Sequence, residues 1–552
     1  MVNYIIVTGG VVSGLGKGIT TASIGKTLRL HGYKVTAMKI DPYINCDAGT
    51  LRPTEHGEVW VTEDGGEIDQ DLGHYERFLD IEIPKHHNIT SGQVYGAVID
   101  KERKGKYLGK TVQPIPHVTD EIKKRIRRPS SEGNFDFVLV EIGGTVGDYE
   151  NVLFLEAVRQ MKLEDEKVVF VHVTYVPVLQ ALGEAKTKPT QHSVKRLREI
   201  GIQPDFIITR TDKPLDDVRR EKIALFCNVH EDEVISDSNI DNVYAVPLLF
   251  EEQDLSKKIL RKLGLRKDLK ELKAWENYIN KVRKAEEKIK VGIVGKYFDI
   301  GSFKLSDSYI SVIEAVKHAA WENDLSPEIH WIDSKVFEKH PEKLESLKEL
   351  DSVIVPGGFG LSGIEGKIET IRYCRENDIP YLGLCLGMQL AVVEYARNVC
   401  KLQDVHTTEV DKNASNPVID FIPSQVKILR ESRYGATMRL GSYPALLKKG
   451  SIIQKLYERN KVHERHRHRY EVNPKYVDLL EEKGLLFSGR SPDGILMEFM
   501  ELPDHPYYVA TQAHPEFKSR PMKPAPLFNG LIKAAVKKKK VGSHLEKPIA
   551  AK

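Results

Sequence analysis

Twice in this chain a short apolar run enters a glycine-crowded turn and leaves it as a helix. The first case is VNYIIVTGG leading into VVSGLGKGITTASIGKTL, and the second is IPYLGLCLGMQL. A strand that feeds a helix through such a turn calls for an α/β arrangement, because the helix packs back over the sheet. Short apolar strands alternate with amphipathic stretches elsewhere too. We read strands at 4–8, 35–39, 137–141, 168–173 and 206–209, and again at 291–294, 328–332, 352–355 and 379–384. The pattern predicts mostly parallel sheets flanked by helices.

In the second turn Cys385 stands between Gly383 and Gly387, the spacing of a nucleophile elbow with Cys in place of Ser. A Cβ at either glycine would crowd backbone against backbone. The thiol would sit at the positive end of a helix spanning 388–397, which favours thiolate. A lone Cys is also a common core residue, so the elbow needs a partner. VATQAHPEF supplies one after a strand at 507–511: His514 as base and Glu516 as its orienting acceptor. Two apart on an extended segment, these side chains point the same way. VIVPGGFG is a strand running into a glycine loop whose backbone N–H groups could face an oxyanion.

The 552-residue length suggests roughly three to four domains. Hydrophobic content of 41% and charged content of 29% are those of a globular protein. A net charge of +3 gives no reason to expect nucleic acid as a partner. No apolar run reaches the roughly 18 residues that a membrane span needs, and the N-terminus lacks the basic start of a signal peptide. Five cysteines without CxxC spacing argue against a disulfide framework or zinc site and for a reducing cytoplasm.

The first turn is a phosphate-loop context, in which backbone N–H groups and a helix N-terminus face an anion. It departs from G-x-x-x-x-G-K-[ST], since Val11 takes the first Gly place and Gly18 the hydroxyl place after Lys17. A metal there must be held by other residues. Asp71, and Glu141 closing an apolar strand, are the candidates, and such oxygen ligands suit Mg²⁺. KTKPTQHSV adds lysines, threonines and a glutamine suited to a second polyphosphate, whose identity spacing leaves open. The charged stretch 268–290 reads as a helical linker with a stripe at Leu269, Leu272, Trp275 and Ile279. The lysine-rich tail, low in apolar residues, reads as disordered.

The elbow with its later HPE resembles class I glutamine amidotransferases. Together with VTGGVVSGLGKG, KIDPYIN, TVQPIPHVTD, VEIGGTVGD, KTKPTQHS, KIALFCNV, GATMRLG and ERHRHRYEVN, it makes the chain from 1 to about 535 resemble the CTP synthase family. That resemblance implies a P-loop-like amidoligase domain at 1–266, a linker at 267–290, a flavodoxin-like class I glutaminase domain at 291–536 and a disordered tail at 537–552. It implies that ATP and UTP are bound, that the uracil 4-oxygen is phosphorylated, and that ammonia from L-glutamine displaces the phosphate to give CTP.

Carried residue by residue, ATP would lie on Gly14, Leu15, Gly16, Lys17, Gly18, Ile19, Asp71, Ser238, Asn239 and Ile240. Mg²⁺ would lie on Asp71 and Glu141. UTP would meet Ser13, Lys186, Thr187, Lys188, Pro189, Thr190, Gln191 and Lys222. CTP would act as feedback inhibitor at Asp148, Tyr149 and Glu150. Glutamine would be held by Gly358, Leu386, Gly387, Met388, Gln389, Glu409 and Arg469, beside Cys385, His514 and Glu516. GTP would activate, and the assembly would be a homotetramer. The family usually carries Arg two residues after GGFG, whereas this chain has Ser362; the expectation is a weaker or altered GTP response. Two rival readings are a different glutamine-dependent synthetase, against which KTKPTQHS speaks, and a nucleotide-switch or filament scaffold, which need not keep Cys385, His514, Glu516, Lys17 and Asp71.

Overall fold

The computed structural model describes residues 2–52, 56–164, 166–179, 183–267, 270, 272–295, 299–300, 303–304, 306–358, 362–421 and 438–545. Leu269 of the linker stripe, Phe359 and Gly360 of GGFG, residues 435–437 of GATMRLG and residues 546–552 lie outside them. The chain forms two compact units, residues 1–48 with 68–279 and residues 49–67 with 280–552.

In the first unit seven strands form one parallel sheet: β1 Asn3–Gly9, β2 Val35–Asp41, β3 Asn88–Thr90, β4 Phe137–Ile142, β5 Lys167–Tyr175, β6 Phe206–Thr211 and β7 Val234–Ser238. Their order is β7-β6-β5-β1-β4-β2-β3. β1, β2 and β4 are buried along their whole length, which is why they read as continuous apolar runs rather than as alternations. The helices that matter to the site are α1 Lys17–Leu30, α2 Asp71–Leu79, α3 Lys188–Glu199 and α4 Asp217–Cys227. β3 and β7 are absent from the sequence reading; each is short, and β7 (VISDS) carries three polar residues. α5 Leu272–Lys284 is the expected linker helix. Trp275 and Ile279 are buried, and Trp275 Nε1 donates to Tyr244 O at 3.0 Å. Its first two turns are therefore part of this unit's core rather than a free connector.

In the second unit nine strands form the main sheet: β8 Lys288–Gly295, β9 Ser326–Asp333, β10 Ser352–Val355, β11 Tyr381–Leu384, β12 Arg439–Leu447, β13 Lys461–His468, β14 Leu486–Arg490, β15 Met497–Glu501 and β16 Tyr508–Thr511. Their order is β9-β8-β10-β11-β16-β15-β14-β12-β13. The first five are parallel and the last four run antiparallel from β16 outward. Of the antiparallel four the sequence reading found none, because polar and charged side chains interrupt them (KVHERHRH in β13). α6 Leu386–Asn398 follows β11 directly, and α7 Pro526–Leu545 closes the described chain.

Two expectations are corrected here. The tail is helical as far as Leu545, not disordered from 537. Leu527, Phe528, Leu531, Ile532 and Ala535 form a buried stripe at helical spacing, and the lysines beyond it extend a helix already anchored. Lys539 Nζ meets Glu287 Oε1 at 3.0 Å and Lys288 O at 2.9 Å. The second correction concerns residues 49–67, which lie within the span expected for the amidoligase but belong to the second unit.

Candidate active sites

β11 ends at Leu384 and α6 begins at Leu386, so Cys385 alone makes the turn. Its φ of 50° and ψ of −101° lie in a region an L-residue occupies only under constraint. The constraint is visible around it. Cys385 N donates to Thr511 O at 2.8 Å. A Cβ on Gly387 would stand 2.1 Å from Val355 O, and one on Gly383 would stand 2.6 Å from the Tyr381 hydroxyl and 2.9 Å from Ala510 Cβ. Both elbow glycines are thus required by close approach.

His514 lies beyond β16, and its Nδ1 is 2.7 Å from Glu516 Oε1. The two do not share an extended segment as expected. Pro515–Lys518 is a short 3-10 turn, and the turn folds Glu516 back beneath the ring. His514 and Cys385 both face Gly357, where a Cβ would come 2.9 Å from His514 Cε1 and 3.5 Å from Cys385 Cβ. Burial alone would lower the imidazole, but Glu516 and Cys385 outweigh it and raise His514 to about 10. The ring is therefore an imidazolium at neutral pH. Among the described residues its Nε2 has no hydrogen-bond partner, and it sits where the Cys385 thiol has a proton to give up and a leaving amine needs one.

A cavity of about 240 Å³ opens here, lined among others by Cys385, His514, Gly357, Gly358 and Arg467. Gly358 follows β10. Leu386, Gly387, Met388 and Gln389 form the first turn of α6, and Gln389 N donates to Cys385 O at 3.2 Å. Gln389 Nε2 donates to Tyr470 O at 3.0 Å and to Gln512 Oε1 at 3.3 Å, and Gln512 Nε2 reaches Cys385 Sγ at 3.6 Å. Arg469 and Glu409 are half-buried, and both act electrostatically on Tyr470.

In the first unit every site loop leaves the carboxyl edge of the parallel sheet, where α/β folds place their ligands. Ser13, Gly14, Leu15, Gly16, Lys17, Gly18 and Ile19 join β1 to α1, with left-handed backbone at Val11, Gly14 and Gly16. Lys17 is buried, which lowers its ammonium, and Nζ donates to Gly144 O at 3.0 Å. A Cβ on Gly18 would lie 2.1 Å from Asp71 Oδ1. The hydroxyl residue of the ordinary loop is therefore missing because Asp71, opening α2, fills its place with a carboxylate.

Asp148, Tyr149 and Glu150 follow β4, with Tyr149 94% exposed. Lys186 and Thr187 lead into α3, where Lys188 Nζ donates to Gln191 Oε1 at 3.0 Å and Gln191 Nε2 to Thr187 Oγ1 at 3.1 Å. Pro189 and Thr190 stand in the same first turn. Lys222 is exposed on α4, Ser238 ends β7, and Asn239 and Ile240 follow it.

The family models for "CTP synthase N-terminus" and "Glutamine amidotransferase class-I" match residues 3–265 and 304–534. A CTP synthase of Pyrococcus abyssi is 55% identical over 99% of this chain and 100% of its own. The chain belongs to the CTP synthase family. A CTP synthase of Methanocaldococcus jannaschii is 52% identical over 98% of this chain and 99% of its own. A solved glutaminase domain of Trypanosoma brucei CTPS with bound acivicin is 36% identical over 45% of this chain and 94% of its own, with a TM-score of 0.42.

One residue of this CTP synthase family site escaped the sequence reading. Lys39, near the end of β2, bridges Asp71 Oδ2 and, at 2.6 Å, Glu141 Oε1; Tyr75 caps the other Glu141 oxygen. Burial alone would lower Lys39, but Asp71 and Glu141 hold it well above its ordinary range. Asp41 and Asp69 are also near, and burial pushes both carboxyls up. The signal was present: a lysine in the wholly buried strand VTAMKID has no packing reason to be there.

The donor set fits Mg²⁺. Two carboxylates already converge on a cation, in a site with more carboxyls than ammonium groups. Among the described residues no group of three or more ligand side chains is arranged around one point. Nucleotide phosphates and water would have to complete the shell, which is the usual mode for Mg²⁺.

Proposed function

We propose that the two sites divide the amination of UTP to CTP between them. In the second unit Cys385 Sγ gives its proton to the His514 imidazole and attacks the side-chain amide carbon of L-glutamine. His514 delivers the proton that lets ammonia leave, and Glu516 fixes its tautomer and charge. The resulting glutamyl thioester is hydrolysed by water to glutamate. Gly358, Leu386, Gly387, Met388 and Gln389 surround the amide, while Glu409 and Arg469 hold the amino-acid end. The reading is carried by one observation: a strained Cys385 shares the face of Gly357 with a buried, charged His514.

In the first unit Lys17 and Lys39 neutralise charge on the phosphoryl group that ATP transfers to the uracil 4-oxygen. Ammonia then displaces that phosphate at C4. Asp71 and Glu141 would hold Mg²⁺, which supplies charge stabilisation on the phosphates. Ser13, Lys186, Thr187, Lys188, Pro189, Thr190, Gln191 and Lys222 hold UTP. Gly14, Leu15, Gly16, Gly18, Ile19, Ser238, Asn239 and Ile240 hold ATP. Asp148, Tyr149 and Glu150 receive CTP as inhibitor, GTP acts as effector, and the working assembly is a homotetramer.

The test is CTP formation from ATP, Mg²⁺ and UTP with either glutamine or free ammonia. Cys385→Ala abolishes the glutamine reaction and keeps the ammonia reaction. Loss of both in a folded variant would overturn the division.

A further inference from the structure

Within the second unit Val61, Glu63 and Glu67 hold β13, the outer strand of its antiparallel half. Along β13 successive side chains alternate between faces. Glu464, His466 and His468 face one way; Arg465 and Arg467 face the other, toward 49–67. Arg465 is fully buried. Its Nε donates to Glu63 Oε1 at 2.8 Å, its Nη1 to Val61 O at 2.9 Å, and its guanidinium lies 5.4 Å from the Trp60 ring centre. Arg467 Nε donates to Glu67 Oε1 at 2.8 Å, with Glu67 buried.

The backbones of the same two arginines meet the catalytic groups. His514 N donates to Arg465 O at 2.8 Å, and Cys385 Sγ is 3.9 Å from Arg467 O. A second line runs through rings: Trp60 packs edge-on against Phe517 at 4.9 Å, and Phe517 stacks on His514 at 5.4 Å. Lys518 adds an ion pair to Glu63 at 3.2 Å. An outer strand has one side without a strand partner, so its position depends on whatever holds its side chains. Here two carboxylates do so, and each arginine they hold presents its carbonyl to a different member of the catalytic pair.

We propose that Glu63 and Glu67 are positioning residues of the glutaminase, setting the relative placement of His514 and Cys385 through Arg465 and Arg467. The proposal rests on the assignment of Cys385 and His514 made above. Neither glutamate touches the substrate amide. Removing either charge leaves a guanidinium, fully buried at Arg465 and half-buried at Arg467, short of its partner, so the strand relaxes and the thiol–imidazole spacing loosens. Small misplacements of this kind cost roughly tenfold to a hundredfold in rate.

The test compares full-length enzyme with Glu63→Gln and Glu67→Gln. Two quantities are read: the ratio of glutamine-driven to ammonia-driven CTP formation, and the pH profile of Cys385 alkylation by iodoacetamide, with the labelled residue identified by peptide mapping. The ratio falls at least about tenfold and the alkylation profile shifts, whereas a purely structural role would leave the profile in place. Glu67→Asp, which keeps the charge, restores part of both. An unchanged ratio and profile in both Gln variants would overturn the proposal, as would a parallel fall of both activities. Should Glu63→Gln fail to fold, Glu67→Gln decides alone, since its arginine faces Cys385 independently. If Cys385→Ala still uses glutamine, the underlying assignment fails instead, and the two failures are told apart.

Discussion

At the scale of single residues, the imidazolium of His514 governs the chemistry. Its folded pKa of about 10 stands above the ordinary 6.5. Its contribution to stability is therefore complete below 6.5 and is lost as pH rises through about 10. Glu516 is the largest of the influences that raise it. Glu516→Gln should move the alkaline limb of the glutamine-driven rate to lower pH and lower that rate by about a hundredfold near neutrality, measured as glutamate release across pH 6–10. An unmoved limb would mean that another group keeps the ring charged. Ser362 carries a second expectation. It is exposed at the start of the turn after GGFG, at the place where the family resemblance leads one to expect Arg. Without a fixed guanidinium the response to GTP should be weak, and Ser362→Arg should strengthen it. Titrating GTP against glutamine-driven CTP formation reads this directly.

At the scale of elements, legibility followed burial. The longer apolar parallel strands were readable because they are buried as unbroken apolar runs, as in FVLVEI and YIIVTG, whereas the short β3 and the polar β7 were not, although both are buried. The two strand–turn–helix units were readable because their turns forced glycine into fixed places. β12, β13 and β15 were not readable: the half-buried Arg439 and the buried Arg465 and Glu498 are held in ion pairs that hydrophobic patterning cannot anticipate. Lys39 went unread for the same reason. The triad and Lys17 came from motif spacing, but the turn that folds Glu516 under His514 did not.

The phosphate loop gives this scale its own prediction. Gly18→Ser would restore the hydroxyl of the ordinary loop, yet its Cβ would press on the Asp71 carboxylate. The substitution should therefore damage the site. Ammonia-driven CTP formation falls about a hundredfold, and the Mg²⁺ concentration needed for half-maximal rate rises. A gain in rate would show that Asp71 can yield its place.

At the scale of the whole molecule, the division into units does not follow the order of the sequence. Residues 280–552 expressed alone lack residues 49–67, and with them Glu63, Glu67 and Trp60. Arg465, fully buried in the intact chain, would then have neither its carboxylate nor its aromatic neighbour. Such a fragment should melt lower than the same unit within the full chain and hydrolyse glutamine slowly. Adding a peptide of residues 49–67 should raise both its melting temperature and its rate. Among the described residues no helix is long and apolar enough to cross a membrane.

The arrangement also bears on how such a gene could be rearranged. A break at α5 looks like the natural seam, yet it would part the glutaminase from nineteen residues (49 to 67 inclusive) encoded far upstream. The downstream product would not carry a whole unit, so the two halves are bound to remain one reading frame, or else to be rejoined as proteins before the thiol can fire.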